Sequence, residues 1–82
     1  MDVSMEAMLG VVRSFVESKR GKPAQGIGPT TALLRDGYLD SFALVELIVE
    51  LEKQLAIELP DGALIPEDFE TPQVLYDRLQ EL

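Results

Sequence analysis

Apolar residues in this chain of 82 recur three and four positions apart and nowhere alternate, so its hydrophobic surface is buried by packing helices. From Ser4 to Ser18 they fall at Met5, Met8, Leu9, Val12, Phe15 and Val16, one stripe of an amphipathic helix with Ser4 as N-cap. A second helix is expected from Ser41 to Gln54, capped by Asp40, with a core stripe of Leu44, Leu47, Ile48, Leu51 and Leu55. Ile65 to Phe69 reads as a short third helix with Pro66 at its first position. Thr71-Pro72 then starts a last helix whose inward face is Val74, Leu75, Leu79 and Leu82. The expected fold is all-α, a small four-helix bundle with a long first loop and one short helix, forming a single domain over residues 1–82.

The long loop needs an explanation. Gly21, Pro23, Gly26, Gly28 and Pro29 exclude regular structure from Lys19 to Thr30. Ile27, Leu33, Leu34 and Leu39 offer anchors, so the expectation is an ordered segment wrapped over the core, with a helical turn near Thr31 to Leu34.

Composition removes several kinds of chemistry. The chain has no cysteine and no histidine, which excludes disulfides, thiolate nucleophiles, imidazole bases, a serine–histidine triad and ordinary zinc sites. No catalytic residue and no metal site is expected. No apolar run approaches the roughly 20 residues needed to cross a bilayer. Met1 to Gly10 carries Asp2 and Glu6 without a basic cluster, so no leader is expected and a cytoplasmic location is. Net charge is −8 and unevenly placed: residues 1–35 hold five basic and three acidic side chains (+2), residues 36–82 two basic and twelve acidic (−10). Such a surface disfavours nucleic acid and anionic membrane and steers toward basic patches on protein partners.

One segment, Asp36-Gly37-Tyr38-Leu39-Asp40-Ser41-Phe42, carries the functional signal. Ser41 lies just inside the second helix, so Asp40 caps while the serine hydroxyl stays free. It stands beside unpaired backbone N–H groups and the positive end of the helix dipole, a setting suited to a phosphate. Ser41 is therefore read as the attachment point of a phosphate-linked prosthetic arm. Phe42, Val45 and Val49 form a second apolar row running from Ser41, flanked by Glu46, Glu50 and Glu52. That row is either an exposed contact strip or a seam with another helix.

These residues resemble the acyl carrier protein family, which bears 4′-phosphopantetheine on a serine in an Asp-Ser-Leu-type motif. Asp40-Ser41-Phe42 occupies that motif, with phenylalanine at the usual leucine or methionine place. Leu33 to Leu39 resembles the family's approach to the motif, and Glu67-Asp68-Phe69-Glu70-Thr71-Pro72 is similar to stand-alone carriers, D-alanyl carrier proteins among them. The resemblance implies a non-catalytic carrier with the arm on Ser41 and Asp40 supporting a transferase's magnesium. It implies partner contacts through Phe42, Val45, Glu46, Val49, Glu50 and Glu52. Partners would be a phosphopantetheinyl transferase, an acyl- or aminoacyl-loading ligase and a downstream synthase or transferase, each meeting a monomeric carrier. Ala43 stands where fatty-acid carriers often have an acidic residue, and the Gly-Gly-x-Ser approach of assembly-line peptidyl carriers is absent. A free-standing carrier for a specialised fatty acid, polyketide or aminoacyl pathway is the expectation.

Two other readings compete. Asp36 to Asp40 imitates part of a calcium loop, but with Gly37 at the invariant glycine the ligand positions one, three and twelve become Ala32, Leu34 and Ala43, which supply no carboxylate. The alternative that stays open is a non-covalent helical adaptor docking a partner through the Phe42/Val45/Val49 strip, with Ser41 as part of a cap.

Overall fold

A computed structural model describes residues 2–82; Met1, first residue of the stretch read above as lacking a leader, lies outside them. Three α-helices form, α1 (Met5–Lys19), α2 (Ser41–Leu55) and α3 (Pro72–Glu81), with a 3₁₀ turn at Pro66–Phe69 between the last two. Among the described residues there is no strand. The fold is all-α, and the fourth expected helix is a single 3₁₀ turn. Four residues are too few to repay α-helix nucleation. Its start is fixed instead by Pro66 and by the Asp68 carboxylate, which accepts the Ile65 N–H at 2.9 Å. The turn places Phe69 in the core.

The core is built from helical stripes. Met8, Val12 and Val16 of α1 meet Leu47 and Leu51 of α2 and Leu75 and Leu79 of α3, all fully buried. On α3 the inward set is Pro72, Leu75 and Leu79, at i, i+3 and i+7. That face turns Val74 and Leu82, expected inward, toward solvent. Met5, Ile48 and Leu55 pack at the core's edge, as do Tyr38 and Tyr76.

The long connection is ordered by its own side chains. Ala24, Ile27, Leu33 and Leu39 are buried beneath it, while Leu34 is half-covered. Arg13 of α1 donates from Nε and Nη2 to the Ile27 carbonyl at 2.9 and 2.6 Å. Lys22 Nζ donates to the Gly37 carbonyl. The Leu33 N–H reaches the Glu70 carbonyl at 3.0 Å, and Gln73 N–H reaches that of Pro29 at 2.9 Å, tying the loop to the C-terminal third. The helical turn expected at Thr31–Leu34 forms slightly later. Tyr38 N–H bonds the Leu33 carbonyl and Gly37 N–H that of Leu34, a helix-ending pair that requires Gly37 at positive φ, observed at 80°.

Helix α2 ends differently. Ala56 adopts φ 54°, ψ 46°, with the Ile57 N–H closing on the Glu52 carbonyl at 3.1 Å. Left-handed backbone is disfavoured for alanine by about 1–2 kcal/mol, and no glycine marks the end. Opposite substitutions should therefore have opposite effects. Ala56→Gly is expected to raise unfolding stability by roughly 1 kcal/mol and Gly37→Ala to lower it by about 1–2 kcal/mol. Chemical denaturation checks both; equal signs would contradict the assigned backbone.

Candidate functional site

Of the serines and threonines at helix starts and turns, Ser4, Thr31 and Thr71 have a backbone partner among the described residues, Thr30 and Ser41 have none, and of those two Ser41 alone opens a helix. Ser4 caps α1 by accepting the Ala7 N–H at 3.1 Å, and Thr71 caps α3 by accepting that of Val74 at 3.2 Å. Thr31 Oγ1 accepts the Gly28 N–H at 2.8 Å. At α2 the work falls to Asp40, whose Oδ1 accepts the Ala43 N–H at 2.9 Å from an extended backbone. Ser41 is the first helical residue, exposed, and its hydroxyl has no hydrogen-bond partner among the described residues. Division of labour between the two residues leaves a free nucleophile-sized oxygen at a helix N-terminus.

Asp40 does a second job. Its other oxygen, Oδ2, pairs with Arg20 Nη1 at 2.9 Å, joining the C-terminal cap of α1 to the N-terminal cap of α2. The side chains are 47% and 27% exposed, so the pair is only partly shielded from water. The Ala43 N–H bond lowers the Asp40 carboxyl below its ordinary value of 3.8; partial desolvation opposes this, and the Arg20 charge and hydrogen bond lower it further. Sequence gives no hint of the Arg20 contact: Arg20 follows the last periodic residue of α1 and precedes Gly21, which reads as a helix end and nothing more.

The second apolar row of α2 faces solvent. Phe42 is 85% exposed, Val45 66% and Val49 56%, which resolves the choice between contact strip and helix seam in favour of the strip. Val45 and Val49 line two shallow clefts on either side of the row. One, of about 260 Å³, also has Phe15, Lys19, Glu46 and Glu50 in its walls. The other, of about 250 Å³, lies between α2 and the 59–64 loop. Glu46 is exposed and Glu50 accepts only from Gln54 Nε2 at 3.3 Å. Glu52, grouped by sequence with the partner-facing acids, has its carboxylate on the Leu59 N–H at 2.9 Å, so it closes the turn after α2.

The fold also sharpens the charge asymmetry. Arg13, Lys22, Arg20 and Arg78 are engaged by carbonyls or carboxylates of the chain itself. On α2, the Glu46 carboxylate is exposed and has no ion-pair partner among the described residues. Among the described residues no acidic cluster is arranged to hold a metal ion, and no helix is long and apolar enough to cross a membrane.

Residues 10–79 match the family described as the phosphopantetheine attachment site. The chain belongs to that family. The family's cofactor is covalently attached 4′-phosphopantetheine. The chain is similar to D-alanyl carrier proteins, 36% identical over 50 residues to those of Bacillus mycoides (strain KBAB4), Bacillus cereus (strain B4264) and Bacillus anthracis (strain CDC 684 / NRRL 3495). The match covers 61% of this chain and spans 63% of the length of those relatives. No solved structure gives a significant match. The residues present fit the cofactor's chemistry, since a phosphodiester needs an accessible hydroxyl and tolerates a helix N-terminus well.

A carboxyl with a lowered folded pKa contributes stability that is present above its unfolded value and lost as pH falls through the folded one. Asp40→Asn is therefore expected to be less stable than the wild type at neutral pH, and the gap should close as pH drops below about 4. Thermal unfolding across that range checks this; a gap independent of pH would contradict the Arg20–Asp40 and Ala43 contacts.

Proposed function

We propose that Ser41 is the attachment residue and that the chain is an aminoacyl carrier, holding a small amino acid of the D-alanine type as a thioester on the arm's terminal thiol. The observation that carries the reading is the Ser41 hydroxyl, exposed and unpartnered one residue after a cap that leaves it free. Similarity to D-alanyl carrier proteins favours an aminoacyl cargo over the fatty acyl and polyketide alternatives. The adaptor reading accounts for the exposed strip but leaves Ser41 without a use.

In loading, the Ser41 Oγ–phosphorus bond forms as the pyrophosphate bond of coenzyme A breaks, adenosine 3′,5′-bisphosphate departs and the hydroxyl proton passes to the transferase. The half-exposed Asp40 carboxylate is this chain's group for the transferase's magnesium. When bound, the arm supplies a thiol that reacts with an activated carboxyl. The chain's own residues present it: rigid α2 fixes the arm's root, and tethering raises the cargo's effective concentration at each partner. Phe42, Val45 and Val49 form an apolar docking strip, and Glu46 and Glu50 give it a negative frame. A small strip steered by charge suits fast, weak exchange among a phosphopantetheinyl transferase, an aminoacyl-loading ligase and a downstream acyl transferase. A monomeric carrier in the cytoplasm fits this traffic.

Incubation with coenzyme A and a broad-specificity transferase is expected to add the mass of one phosphopantetheinyl group to the wild type and nothing to Ser41→Ala. No addition to the wild type, with a control carrier modified in the same tube, would refute the reading. Charge reversal at Glu46 and Glu50 together should slow loading at low salt, and the deficit should shrink as salt rises. Loading indifferent to salt in both proteins would remove these residues from the docking face.

A further inference from the structure

Attaching a phosphodiester to Ser41 places a permanent negative charge one residue from the Asp40 carboxylate. Two adjacent anions at one helix start repel, and the helix N-terminus offsets only part of that. A cation beside the pair would offset the rest, and Arg20 is already in contact with one of the two residues. We propose that Arg20 is the counter-ion of the arm's phosphate, bridging it to Asp40 and fixing the direction in which the arm leaves α2. This rests on Ser41 being the attachment residue.

Four observations assign the role to Arg20. First, it is the cation in contact with the residue before Ser41, its Nη1 lying 2.9 Å from Asp40 Oδ2. Second, its guanidinium is under-used: among the described residues its ion pair is with Asp40 through Nη1, and Nη2 has no partner, while Nε is buried away from solvent. A planar fork of five N–H donors is suited to engage a carboxylate and a phosphate at once. Third, its backbone is anchored, since Arg20 N–H closes on the Val16 carbonyl at 3.1 Å at the end of α1. Fourth, three of the other cations in residues 1–35 have other work, and the remaining one, Arg35, is exposed and makes no ion pair with Asp40. Lys22 donates to the Gly37 carbonyl and Arg13 to that of Ile27, while Lys19 faces Glu46 and Glu50 across the α1–α2 cleft.

The test is a cycle of four proteins, wild type and Arg20→Gln, each with and without the arm, with Arg20→Lys as a fifth pair. Mass spectrometry first establishes that the arm is on Ser41; if it is not, the attachment reading fails there, and this inference with it. Thermal midpoints are then compared. In the wild type, loading is expected to leave the midpoint unchanged or raise it; in Arg20→Gln it should lower it by several degrees, with Arg20→Lys between. In parallel, the Arg20 guanidinium resonances of the wild type should move on loading, and the arm's phosphorus signal should be broader than in Arg20→Gln. If Arg20→Gln does not fold, the guanidinium resonances of the wild type decide alone. An equal loading effect in wild type and Arg20→Gln, or guanidinium signals that stay put when the arm is added, would overturn the proposal.

Discussion

One carboxylate connects the parts of this molecule that matter. Asp40 Oδ1 closes the first turn of α2 on Ala43, and Oδ2 holds Arg20 at the end of α1. The first contact removes the need for Ser41 to act as a cap. The second sets where the start of α2 lies relative to the end of α1, although twenty-one residues of connection separate the two helices in sequence. Remove the capping contact and the adjacent serine is the natural replacement, which would occupy the hydroxyl that the family's chemistry requires. The Ser41 hydroxyl is thus left free by its neighbour.

The surrounding fold ties down this end of the bundle while leaving the Phe42, Val45 and Val49 row exposed. The loop before Asp40 is tied down by Arg13, Lys22, Leu33 and the Gln73–Pro29 bond, so the helix start does not depend on the loop's intrinsic preferences. Several of these ties use cations on backbone carbonyls. The same arrangement engages Arg13 and Lys22 within the chain, while Glu46 on α2 stays exposed. Phe42, Val45 and Val49 are then tolerable as exposed apolar residues because they form a narrow row framed by charge and not a broad patch.

Periodicity and caps made most of the fold legible. Ser4, Asp40 and Thr71 each accept from the backbone three residues on, as their positions imply, and α1 and α2 fall within one residue of their expected ends. What stayed hidden depended on tertiary contact. Ala56 ends α2 in a left-handed conformation that no glycine announces. Val74 faces outward because Pro72, Leu75 and Leu79 take the inward face. The last four-residue segment is a 3₁₀ turn because it is too short to nucleate an α-helix. At the site, the exposed Ser41 at the start of α2 and the existence of a second apolar row were readable from the motif and its spacing, while the row's exposure to solvent, left open against a helix seam, came from the fold. Arg20 and the structural use of Glu52 were not readable either, since each meets its partner across a gap in sequence that no local pattern encodes.

The chain has four serines, Ser4, Ser14, Ser18 and Ser41, and the account makes them unequal. Ser4 is engaged on Ala7, Ser18 donates to the Ser14 carbonyl, and Ser14 sits in mid-helix away from any helix start. Fragmentation of the protein isolated from cells that hold a phosphopantetheinyl transferase measures which one is modified. The arm on Ser41 alone is the predicted result. An arm on any other serine, or on none while a control carrier is loaded in the same cells, would contradict the claim that Asp40 keeps the Ser41 hydroxyl free for attachment.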